Sequence, residues 1–111
     1  MKKINDTNFS QVIKNCKKPI VIKFYNPTCH LCVGLEPVFE RLTTMFDNYE
    51  FAECSAVDSR NLFKFFDISG VPSLFIVGKD YKKEIPYPQH PDPESGFSIY
   101  DMADFLDTFK P

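Results

Sequence analysis

The chain has only four cysteines, no surplus of basic side chains and no long apolar run, and each shortage removes a class of protein. Four cysteines are too few for a small scaffold held together by disulfides, and their separations of twelve, two and twenty-one residues repeat no zinc-ribbon spacing. Thirteen basic and fifteen acidic side chains leave a formal net charge of −2. A protein that neutralises phosphates would carry a positive excess, so no nucleic-acid ligand is expected. The two lysines after Met1 have no apolar stretch behind them, and no later segment reaches the length of a bilayer span. The expectation is a cytoplasmic protein with no membrane partner.

What the chain does have is material for an aromatic core. Hydrophobic residues make up 43% of it, with twelve Phe and five Tyr, a content that disordered chains lack. Its 111 residues suit one domain over 1–111, a sheet covered by helices, and a monomer is expected.

The pattern along the chain gives the order of elements. A short strand at 2–4 precedes a helix over 7–15, capped by Asp6 or Thr7, with Phe9, Val12 and Ile13 at helical spacing. After Pro19, Ile20 to Tyr25 is β-branched and aromatic, as in a strand buried on both faces, and Lys23 is its discordant member. Over 29–46, Leu35, Val38, Phe39, Leu42, Met45 and Phe46 form one stripe of a long helix kinked at Pro37. A strand over 49–57, a short helix over 59–66 and a strand over 73–77 complete a βαβαβαβ order. An edge strand over 81–87, a proline-rich loop over 88–96 and a final helix opened by a Ser98–Asp101 capping box follow.

Chemistry concentrates at Cys29-His30-Leu31-Cys32. The pair lies between a buried strand and the start of a long helix, where free N–H groups and the helix dipole favour a thiolate. Positions i and i+3 meet on one helical turn, so the second sulfur can reach the first. Such a pair permits attack on a disulfide by Cys29, nearer the helix tip, and resolution by Cys32, one turn inside. Two half-buried cysteines packing as small hydrophobes is the alternative.

Phe24-Tyr25-Asn26-Pro27-Thr28-Cys29-His30-Leu31-Cys32 resembles the FYAPWCxxC segment of protein disulfide isomerase domains, within the thioredoxin superfamily. Pro37 stands where that family has its helix-kinking proline, and Gly70-Val71-Pro72-Ser73-Leu74 is similar to its cis-proline loop. Residues 4 to 78 follow the family pattern in order and spacing. The resemblance implies an α/β thioredoxin fold, a central mixed sheet with helices on both faces. It implies a cis Val71–Pro72 bond beside the cysteines and a Val71 backbone that pairs with an extended substrate. From spacing alone, Pro72 would be an ordinary trans proline at a strand start. Thr28, Leu31, Gly70, Val71 and Pro72 are the substrate-binding candidates that follow.

Four departures from the family stand out. Thr28 replaces a usual Trp, His30-Leu31 replaces Gly-Pro or Gly-His, Lys23 replaces a buried acid, and the segment after Gly78 lacks the usual glycine. Lys23 and His30 join the catalytic candidates because a nearby positive charge favours thiolate. The alternative for Lys23 is that its flexible stem carries the ammonium out to solvent.

Elsewhere the plainer readings prevail. Cys54 is expected to pack in a central strand, and Cys16, beside Lys17 and Lys18, to be more exposed but incidental. His90 has no neighbouring ligand, and no metal site is expected. The Phe63, Phe65 and Phe66 cluster is assigned to the core. The function expected is that of an enzyme, a thiol–disulfide oxidoreductase acting on protein disulfides, with no cofactor beyond a redox-active Cys29–Cys32 disulfide. Its electrons would come from a thioredoxin reductase-like flavoprotein or from glutathione. A binding or accessory subunit with idle cysteines is the competing reading, and a metal or iron–sulfur carrier bridging two chains ranks last.

Overall fold

A computed structural model describes residues 1–111. Strand β2 (Ile20–Tyr25) is central, hydrogen-bonded in parallel to β3 (Glu50–Ser55) and antiparallel to β4 (Ser73–Val77). The short β1 (Lys2–Ile4) lies outside β3, and β5 (Lys82–Ile85) outside β4, giving a mixed sheet in the order β1-β3-β2-β4-β5. The sequence-predicted mixed α/β architecture is the observed one.

Because side chains alternate along a strand, β2 feeds two separate cores. Ile20, Ile22 and Phe24 meet α1 (Phe9–Asn15) and α3 (Arg60–Phe65) on one face, together with Ala52, Cys54 and Phe75. Val21 lies on the other face, with Leu35, Phe39 and Leu42 of α2 (His30–Thr43) and Met102 and Leu106 of α4 (Ile99–Thr108). The three α2 residues are fully buried, and each contributes about 2 kcal/mol of apolar burial. This stripe fixes how α2 sits on the sheet. It thereby fixes where the cysteines at its start lie.

Several boundaries differ from the sequence reading. The α2 helix stops at Thr43 rather than Phe46, because Thr43 and Thr44 hydroxyls bond the Glu40 and Arg41 carbonyls and the last turn tightens through Met45 N–H to Leu42 O. Neither Asp6 nor Thr7 caps α1, whose N-cap is Asn8. Asp6 reaches instead to α3, its carboxylate accepting from the Asn61 and Leu62 amides at 3.0 and 2.9 Å. Cys16, expected to be exposed, is buried, since as the C-cap of α1 it turns into the core between α1 and the sheet. Phe66 joins that core, whereas Phe65 stays 59% exposed. The edge strand is shorter than 81–87, and Pro86, with no N–H to donate, ends its pairing.

Candidate active site

The turn after β2 is built by one side chain. Asn26 Oδ1 accepts from the Thr28 amide at 3.1 Å and the Thr28 hydroxyl at 2.9 Å, while the Asn26 carbonyl accepts from the Cys29 amide at 3.0 Å. This Asx turn presents Cys29 as the N-cap of α2 with extended backbone angles. Its sulfur therefore takes the place a serine or aspartate oxygen commonly holds, accepting the Cys32 amide at 3.3 Å. On its other side, Cys29 Sγ faces the Val71 carbonyl at 3.8 Å. The loop between α3 and β4 is thus held against the helix tip.

The two thiols, both free, sit in different surroundings. Cys29 is half-buried at the tip, while Cys32, one turn in, is only 2% exposed. Burial pushes the Cys32 thiol up to about 12, and Cys29 beside it adds to the rise. The positive charge of Lys23 acts in the opposite direction, though less strongly than burial.

Lys23 is itself 2% exposed, so its stem does not carry the ammonium to solvent. Its Nζ lies 5.3 Å from the ring centres of both Tyr25 and Phe39, and 3.7 Å from Glu53 Oε2. Glu53 is its register partner on β3 and keeps a 22% exposed side chain. A buried cation thus finds a carboxylate and two aromatic faces, which offset part of its desolvation cost. The sequence reading missed Glu53. Lys23 stands out as the lone charge in its strand, but β3 carries Glu50, Glu53 and Ser55, and only the strand register singles out Glu53 as its partner.

Of the remaining candidates, Thr28 and His30 are exposed and Leu31 is half-buried on the first turn of α2. Gly70 is exposed, Val71 half-buried and Pro72 buried, and the Val71–Pro72 peptide bond is cis. The Ser73 hydroxyl donates to the Gly70 carbonyl at 2.6 Å and closes this loop on itself. The Val71 N–H makes no backbone hydrogen bond within the fold. The loop over 88–96 also reaches this region: a Cβ at Gly34 of α2 would overlap the Glu94 carbonyl. Gly34 was not singled out from sequence, because a lone glycine in a helix gives no hint of what crosses it.

A dithiol at the tip of a long helix, facing a proline loop on a mixed β1-β3-β2-β4-β5 sheet, defines a thioredoxin-fold protein. The family model named Thioredoxin matches residues 1–90, and the chain belongs to the thioredoxin family. It is similar to protein disulfide-isomerase erp38 of Neurospora crassa, with 36% identity over 86 residues, 68% of this chain and 23% of that protein. The probable protein disulfide-isomerase A6 of Medicago sativa is 31% identical over 77 residues, 67% of this chain and 21% of that protein. The chain spans about a fifth to a quarter of the length of the curated relatives it matches. The crystal structure of chloroplastic thioredoxin z superposes with a TM-score of 0.75 at 15% identity, over 96% of this chain and 91% of that one, and shows the shared fold.

Proposed function

We propose that the chain is a thiol–disulfide oxidoreductase that reduces or exchanges disulfides of protein substrates through Cys29 and Cys32. One observation carries this reading: a half-exposed sulfur at a helix N-terminus accepts an amide hydrogen bond, while the second thiol lies buried one turn behind it. In the first step the Cys29 thiolate attacks a substrate disulfide. A bond forms between Cys29 Sγ and one substrate sulfur, and the other substrate sulfur leaves as a thiolate that takes up a proton. Cys32 then attacks Cys29 Sγ, its proton passing to the substrate sulfur that leaves, and the Cys29–Cys32 disulfide closes. Two electrons pass to the substrate. A flavoprotein reductase or glutathione returns them.

The free Val71 N–H and the carbonyl beside Cys29 support pairing with an extended substrate backbone, a contact that tolerates many sequences. Thr28, Leu31, Gly70 and Pro72 border that position. His30, when protonated, and Lys23 both favour thiolate and hence the reduced form. A potential above the roughly −270 mV of thioredoxin follows from this reading.

The test is turnover of a protein disulfide by wild type, Cys29→Ser and Cys32→Ser. Cys29→Ser is expected to be inactive, and Cys32→Ser to accumulate a mixed disulfide with substrate. Equal activity in all three proteins would return the chain to the class of binding modules.

A further inference from the structure

A groove of about 270 Å³ lies beside Val71 and Pro72, and its far wall belongs to the segment joining β5 to α4. Tyr87 forms part of that wall. Its ring meets Phe97 edge-on at 5.1 Å between centroids, and Phe97 is 1% exposed and anchored in the α2–α4 core. Its hydroxyl end lies over Gly96, whose φ of +74° and missing side chain let the ring settle there. The loop is also fixed from behind. Asp92 and Gly96 exchange two backbone hydrogen bonds at 3.1 and 2.8 Å, the Asp92 carboxylate accepts from the Glu94 and Ser95 amides, and the backbone at Glu94 packs on Gly34 of α2. Tyr87 is therefore a held ring, and yet it remains 46% exposed.

The remaining lining decides what such a ring could receive. Glu84 is the one charged side chain on the groove, whose other walls are Ser69, Gly70 and Ser73 beside the proline. An aromatic face with a single carboxylate nearby suits a cation on a long apolar stem: the ring attracts the cation through its quadrupole, and the carboxylate attracts it through its charge. An acidic side chain would meet repulsion from Glu84 and the negative face of the ring.

We infer that Tyr87 and Glu84 form a side-chain subsite that selects substrates carrying an arginine or lysine next to the cysteine under attack. The inference rests on the oxidoreductase reading and names the class of substrate that its site prefers. The Val71 backbone holds the peptide without regard to sequence, and the subsite supplies the discrimination. Both partners of a substrate cation are solvent-accessible, so the preference is modest and salt-sensitive, about fivefold to tenfold in kcat/KM at low ionic strength.

The test uses two peptide disulfides identical except for Arg or Glu beside the reacting cysteine, with a small aromatic disulfide reagent as a third substrate. Wild type is expected to turn over the Arg peptide about fivefold to tenfold faster than the Glu peptide, with the ratio falling as salt rises. Glu84→Gln and Tyr87→Ala should each move that ratio toward one. Because Tyr87 also packs on Phe97, the exposed Glu84→Gln variant carries the decision if Tyr87→Ala folds poorly. A wild-type ratio near one, or a ratio that Glu84→Gln leaves unchanged, overturns the subsite while turnover of the small reagent upholds the redox reading. Failure of wild type on all three substrates overturns both.

Discussion

At the scale of single residues, the unusual feature is a lysine buried on the cysteine-bearing face of the sheet. Its carboxylate partner, Glu53, is the more exposed of the two, so the cost of the pair falls mainly on Lys23. Replacing a buried ion pair by apolar groups of similar volume is often neutral, whereas removing one partner strands the other charge. Lys23→Met leaves a carboxylate that solvent still reaches and is expected to alter stability by less than about 1 kcal/mol, whereas Glu53→Ala strands the buried ammonium and is expected to lower it by about 2 to 3 kcal/mol. Urea denaturation of the two variants checks this, and equal losses would deny that the carboxylate compensates Lys23. The same lysine opposes the burial that pushes Cys32 up. In Lys23→Met the Cys32 thiol should titrate higher still and the couple become more reducing. Superimposable thiolate absorbance curves would remove Lys23 from the chemistry.

Among the elements, α2 was the most legible in the sequence and the loop over 88–96 the least. The stripe of Leu35, Phe39 and Leu42 with Pro37 specified a long helix starting at the cysteines, and the apolar runs at 20–25 and 73–77 became strands. Such patterns are local, because one buried face dictates them. Contacts between distant segments leave no such trace, and so the sequence offers Asp6, beside Thr7, as a cap for α1 when it bonds α3, and places Cys16 nearer the surface when it is buried. The packing of the proline-rich loop on α2 is of the same kind. At Gly34 two effects compete. Alanine gains about 1 kcal/mol of helix propensity over glycine, but its methyl would overlap backbone at Glu94, which cannot swing aside as a side chain can. Overpacking of this sort costs about 1 to 3 kcal/mol, so the clash should win. Gly34→Ala is expected to lower stability by about 1 kcal/mol and to speed amide exchange in residues 92–96. A gain in stability would mean that the loop yields freely.

Over the whole molecule, the site was legible in its sulfurs and its proline loop because those are motifs of residue type at fixed spacing. Its electrostatics were not, since the Lys23–Glu53 pair depends on strand register and the Cys32 environment on how completely the sheet and α2 enclose it. That enclosure also acts on global stability. Burial holds Cys32 up at about 12 and Cys54 at about 11, against an ordinary 9.0. Burial likewise raises the phenols of Tyr25, Tyr49 and Tyr81. For each of these groups the unfolded chain releases its proton at lower pH than the folded protein does. The stabilisation is complete below about pH 9 and is lost as pH rises toward 11 and 12, at no more than about 1.4 kcal/mol per pH unit for each thiol. The reduced protein should therefore lose stability steeply above pH 9. Cys54→Ala removes one of the contributing protons and should flatten the fall between pH 9 and 11, whatever offset its smaller side chain adds at neutral pH. Every other group is common to wild type and variant, so the difference between the two curves isolates the thiol. Urea midpoints measured at pH 8, 9.5 and 11 give that difference, and parallel curves would show that the Cys54 proton is not held by the fold.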